Sequence, residues 1–205
     1  WGTVKNEEHA FLLQPRSDRQ GKGVARDRNR SSPAIAIELE PELFFSLAAA
    51  SPTSVTNLVL ADAHVQDGSG TNVNFGASVA LELMTTNTPT INNRDIYLKF
   101  PIDNAPNPLG SALLRIFAKT SASGAVTSMV YSVTDTNWTE AGIMWTNKPA
   151  LGTMQTNRVI SGTTAASYDI DVTAYIRSEI AAGRGDDLHR RRVLPRPRRL
   201  HGAGR

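Results

Sequence analysis

The feature that most constrains this chain is a period-two alternation of apolar residues through its middle, interrupted at short intervals by clusters of Gly, Asn, Asp, Ser and Pro. In Ile96–Ile102, the residues Ile96, Leu98 and Phe100 fall on one side, with Tyr97 and Lys99 on the other. In Ala112–Lys119, Leu114, Ile116 and Ala118 oppose Leu113, Arg115, Phe117 and Lys119. Only a strand puts alternate side chains on opposite faces. Further strands are predicted near Thr56–Val65, Val79–Thr85, Val126–Val133 and Ser167–Val172. Each offers one apolar and one mixed face, the pattern of two packed sheets, so the expected fold class is an all-β antiparallel β-sandwich. One short helix is expected after Val172: Thr173 can cap it, Ile176 and Ile180 share a face, and Gly183 suits its end. It is expected to plug one end of the sandwich.

The flanks differ in character. Residues 1–53 read as a poorly structured segment and linker, because Arg16–Arg30 is charged with almost no periodic apolar residues and Ser51-Pro52-Thr53 follows a short apolar stretch. Residues 54–183 are the expected domain. Residues 184–205 form a basic Arg/Pro-rich tail of the composition that a shifted reading frame in a GC-rich gene would produce, and they read as non-native; the N-terminal segment invites the same reading.

Charge follows these boundaries. The net +3 arises from the tail, with eight Lys/Arg against two Asp/Glu, whereas residues 51–182 hold seven against ten. That distribution argues against a specific nucleic-acid partner. The chain has no cysteine, which excludes disulfides, thiolate metal sites and cysteine nucleophiles. No apolar run is long enough for a membrane-spanning helix, and no signal-peptide pattern is visible. The four histidines form no metal-ligand spacing, and neither a nucleophile elbow nor a phosphate-cradling loop occurs.

Several segments, in order, resemble the DNRLRE-type domain, which is similar to carbohydrate-binding module family 96 and to disaggregatase-related domains. Ala61–Ser69 followed by Asn72-Val73-Asn74-Phe75-Gly76 looks like that family's first strand and Asn-rich turn. Asn93–Phe100 and Ala112–Phe117 resemble its Leu-Lys-Phe and Leu-Arg-Leu-Tyr strands. Trp138–Ala150 brackets a Thr139-Glu140 step between Trp138 and Trp145 and closes on Asn147-Lys148-Pro149, and Tyr168–Ile176 resembles an Asp-Val-Thr strand-to-helix passage. The resemblance covers roughly residues 55–183. It implies a jelly-roll-like sandwich, appended in relatives to extracellular polysaccharide lyases, hydrolases and cell-surface proteins, some of which bind alginate-like acidic polysaccharide. It implies no enzymatic activity. Domains of this kind continue beyond Gly183 into strands that complete both sheets, so an unpaired edge is expected here.

The expected function is therefore noncatalytic binding of a polysaccharide, most favourably an acidic one such as alginate, in a secreted or cell-surface setting. It would target an attached enzyme to its substrate; the alternative is a structural or adhesive spacer of a surface protein. Cations interleaved with rings suit an acidic glycan, which makes Arg94, Tyr97, Lys99, Arg115, Phe117, Lys119 and Trp138 the candidate ligand-binding residues. The competing reading has these cations merely solvating an outer face and Trp138 and Trp145 packing in the core. Glu140 lacks a partner carboxylate of the kind glycoside hydrolysis requires, so no catalytic residue is expected. Structural calcium is the one cofactor the residue types suggest, through Asp62, Asp67, Asp169 and Asp171 near turns, although no calcium-loop motif is present and a cap or turn role competes.

Overall fold

The computed structural model describes residues 8–15, 35–38, 44–49, 54–86, 92–102 and 105–182. Among them the chain forms eleven strands: β1 (Glu8–Pro15), β2 (Ile35–Glu38), β3 (Phe44–Ala49), β4 (Ser54–Leu58), β5 (Ala61–Gln66), β6 (Ala80–Leu83), β7 (Arg94–Pro101), β8 (Leu109–Thr120), β9 (Ala125–Val133), β10 (Met154–Ser161) and β11 (Ala166–Asp171). One helix, α1 (Thr173–Ala181), follows. The first sheet has the order β10-β9-β1-β7-β5, and the second runs β4-β3-β8-β2-β6. Every paired neighbour is antiparallel. The expected all-β sandwich with one short helix is the fold observed.

β8 organises the second sheet. β11 pairs with residues 113–118 of β8 on one edge, while β3 and then β2 lie end to end along the other edge. The alternation seen in the sequence sets its facing: Leu114, Ile116 and Ala118 are fully buried between the sheets. They meet Phe11 and Leu13 of β1, Ile96, Leu98 and Phe100 of β7, Leu81 and Leu83 of β6, and Ile160 and Ile170. Burial of each Leu, Ile or Phe side chain among these contributes about 1.5–3 kcal/mol. The helix closes one end through Tyr175 and Ile176, with the Tyr175 ring edge-on to Phe11 at 5.4 Å between centroids.

Three strands arise in the segment expected to be poorly structured, and β1 is central in its sheet. β1 and β2 pair only with β6 to β9, far along the chain, so no local hairpin signal marks them, whereas β3 pairs both with distant β8 and with β4, the next strand. Phe11-Leu12-Leu13 does not alternate because both faces of β1 are covered: Phe11 and Leu13 face the inter-sheet core, and Leu12 belongs to a second apolar cluster. β1 lies between β7 and β9, and β2 and β3 lie along β8. The tail 184–205 lies outside the described residues. The single strand expected over Thr56–Val65 is instead two, β4 and β5, in different sheets. α1 begins where predicted, but Val172 rather than Thr173 holds the N-cap position: Thr173 N–H donates to Asp171 Oδ1 at 2.8 Å, and Thr173 Oγ1 accepts from Ala112 N–H at 2.9 Å.

Candidate functional site

The connection from β9 to β10 seals the outer face of the first sheet. Trp138 and Ile143 from this segment pack with Leu12, Ala61, Ala63, Val65, Tyr97 and Val133, with Tyr131 and Trp145 at the margin. Tyr97 lies beneath it with its ring edge-on to Trp138, and its hydroxyl donates to Pro149 O at 2.8 Å. Burial pushes the Tyr97 hydroxyl pKa well above the usual tyrosine value, with the Asp95 charge adding to it. Lys99 is likewise buried: its ammonium donates to Trp138 O at 2.7 Å and Thr136 O at 2.9 Å and lies over the Trp138 ring.

The expectation that Tyr97, Lys99 and Trp138 present a glycan-binding surface is thus corrected. Both faces of β7 are covered, one by the opposing sheet and one by the Trp138–Trp145 segment, so these three side chains are structural. Arg94, at the strand's start, donates to Gln66 Oε1 at 2.8 Å and pairs with Glu82. Lys148 pairs with Asp95 while its Nζ sits 3.2 Å from the Trp145 ring centroid.

The Asn-rich turn locks this segment at the edge of β5. Asn74 Nδ2 donates to Glu140 O at 2.7 Å and to Ile143 O at 2.8 Å. Glu140 Oε2 in turn accepts from the Asp62 backbone N–H at 3.3 Å, occupying an outward donor of the edge strand. Gly76 fits directly against the Glu140 backbone: a Cβ there would stand 2.1 Å from Glu140 O. Glu140 is therefore an edge-blocking residue of the fold. Burial raises the Asp62 carboxyl pKa to about 6, and the Glu140 charge reinforces it. Burial also lowers the pKa of His64, whose ring stacks on Phe75 at 4.6 Å; nearby Glu82 opposes this shift and Arg94 assists it.

The other candidates come together on the second sheet. Leu113, Arg115, Phe117 and Lys119 form one row on the outer side of β8, each partly exposed, with Ser167, Asp169 and Asp171 beside them on β11. Arg115 grips Asp169 with two parallel bonds, Nε to Oδ1 at 2.6 Å and Nη2 to Oδ2 at 2.7 Å. The Asp169 carboxyl is held below its usual pKa chiefly by the Arg115 hydrogen bond, with Arg158 contributing charge. Arg158 lies over the ring of Tyr168, the neighbour of Asp169 that packs toward the core, at 5.8 Å from its centroid. A groove of about 530 Å³ adjoins the row where β8, β10 and α1 meet, lined in part by Ser111, Gln155, Thr156, Asp171, Thr173 and Arg177. Arg177 is committed to the fold there, donating to the carbonyls of Leu109 and Gly110.

The alternation placed Arg115, Phe117 and Lys119 on one face of a strand, as they lie in β8, but it did not mark Asp169 as the partner of Arg115 or reveal the groove. The outer-face alternation of β11 against β8 was the available signal for Asp169.

The four aspartates considered for calcium do not converge. Asp67 accepts from Asn93 N–H at 2.7 Å and from its side-chain amide at 2.6 Å, Asp169 serves Arg115, and Asp171 accepts from Thr173 N–H at the start of α1. Asp62 belongs to the other sheet from Asp169 and Asp171, and among the described residues no group of three or more metal-ligating side chains gathers. The donor set does not fit a calcium ion.

One sheet sealed by a tryptophan-bracketed segment, and a second sheet carrying a mixed ionic and apolar outer row, define a β-sandwich module. Residues 53–186 match carbohydrate-binding module family 96, and the chain belongs to that family. Among curated proteins no match was found. Membership assigns the chain to a class of carbohydrate-binding modules. Among the described residues, no helix is long and apolar enough to cross a membrane.

Proposed function

We propose that this chain holds an acidic polysaccharide, such as alginate, along the outer row of β8 and β11 and into the adjoining groove, and so targets an attached secreted enzyme to its substrate. The observation that carries this reading is the row Leu113, Arg115, Phe117 and Lys119, with Arg115 held by Asp169. Phe117 and Leu113 offer apolar surface to the C–H faces of sugar rings, and a guanidinium oriented by a neighbouring carboxylate is set to meet a uronate carboxylate or hydroxyl pair. The alternation of Arg115 and Lys119 with Phe117 along one face supports an anionic ligand over a neutral one. A module of this kind raises the local concentration of its attached enzyme at a polymer without adding chemistry.

Affinity electrophoresis of the full chain through gels containing alginate or a neutral glucan tests the proposal. Retardation in alginate alone, weakened by salt and lost in the Arg115→Ala, Phe117→Ala, Lys119→Ala triple variant, is expected. A folded chain that migrates unretarded in every gel would instead indicate a structural spacer.

A further inference from the structure

The middle strand of the first sheet comes from outside the family match: β1 spans Glu8–Pro15, whereas the match begins at residue 53. β1 pairs antiparallel with β7 on one side, from Glu8↔Pro101 to Leu13↔Ile96, and with β9 on the other, from Ala10↔Val133 to Pro15↔Ser128. It pairs with neither β2 nor β3, its nearest strands along the chain. Phe11, Leu12 and Leu13 are completely buried, Phe11 against Phe100 and Tyr175 on one face and Leu12 in the Tyr97 cluster on the other. Strands β7 and β9 therefore bound a slot with hydrogen-bonding edges on both sides and apolar pockets above and below.

Residues 16–34 join β1 to β2, and a chain of that length reaches at most about 65–70 Å. That reach allows β1 to enter the slot of a neighbouring molecule and remake every pairing it has at home. We infer that the β7–β9 slot is a strand-acceptor site whose second occupant is Glu8–Pro15 of another copy, giving reciprocal strand-exchanged dimers. Identical contacts are made in both arrangements, so concentration decides between them. A strand held by a tether of this length has an effective concentration on the order of millimolar, so exchange is a minor form in dilute solution and grows as copies crowd together.

The absence of native cysteine makes a direct test available. Gln14 and Met129 are register partners across β1 and β9, and both are partly exposed. Opposed antiparallel Cα atoms stand about 4.5–5.5 Å apart, within disulfide range. Chains carrying Gln14→Cys alone and Met129→Cys alone would be unfolded together, refolded at about millimolar concentration, where tether and solution compete, and oxidised. The expected product is a heterodimer joining the two chains, about tenfold or more above either homodimer, because thiols held in register react far faster than free ones. A statistical mixture of dimers, or none, would overturn the inference. Sedimentation of the unsubstituted chain refolded the same way gives a second reading that no cysteine can disturb. A dimer fraction that rises with refolding concentration supports exchange, and a purely monomeric chain refutes it.

Discussion

Replacing Gly76 by alanine tests whether the Asn-rich turn is a clasp on the tryptophan-bracketed segment. The added Cβ would lie 2.1 Å from Glu140 O and 2.6 Å from Glu140 C, and neither backbone atom can yield by rotating a side chain. The turn and the segment must separate. Separation weakens the Asn74 bonds to Glu140 O (2.7 Å) and Ile143 O (2.8 Å) and the Asp62–Glu140 contact at 3.3 Å. At about 1 kcal/mol net for each hydrogen bond, with partial loosening of Trp138, the cost is about 2–4 kcal/mol. For a domain of this size, that corresponds to a fall in Tm of roughly 6–16 °C. Thermal melts followed by circular dichroism on the full chain, with Ala77→Ser at the exposed neighbouring position as control, measure it. Asn74→Ala should cost less than Gly76→Ala, and the double variant less than the sum, since both act on one contact. A Gly76→Ala chain melting within about 2 °C of the parent, the scatter of neutral surface changes, would refute the clasp.

Other consequences follow from the same packing. The raised Asp62 pKa means that its protonated form favours folding: this contribution is full below about pH 4 and is lost as pH rises through about 6. Asp62→Asn should therefore stabilise the chain at pH 7 by up to about 3 kcal/mol and by little at pH 4, as read from the difference between urea midpoints across that range. Tyr97→Phe leaves the buried Pro149 carbonyl without its donor and should cost about 1–3 kcal/mol in urea unfolding, while leaving gel retardation in alginate unchanged. Asp169→Ala removes the carboxylate that Arg115 grips, adding net positive charge to the outer row. Retardation in alginate should then strengthen and become steeper in its dependence on salt; unchanged salt dependence would count against binding on that face.

How much of this was legible in the sequence depended on how each strand is covered. β8 reads cleanly because one face is buried and the other exposed, so its alternation predicted both the core residues Leu114, Ile116 and Ala118 and the outer row. β7 misled because its second face is roofed by an irregular segment: Tyr97 and Lys99 alternate with the core as outward residues would, yet lie buried beneath Trp138. Period-two patterning separates two faces but does not tell solvent from a covering loop. β1 escaped notice for the related reason that a strand buried on both faces shows a continuous apolar run, and its partners begin some eighty residues further on, beyond the reach of any local turn rule. The tryptophan motif was recognisable as a unit, and the competing core reading of Trp138 is the one its burial supports.

The central claim is that the glycan lies on the outer row of the second sheet and not on the tryptophan-bracketed surface of the first. Backbone amide shifts of the full chain, titrated with alginate oligosaccharides, test it directly. The account predicts shifts clustered at residues 111–119 and 167–171, extending to the groove at 155–156 and 173–177. Shifts confined to residues 72–76 and 138–150 would contradict it and return the ligand to the tryptophan segment.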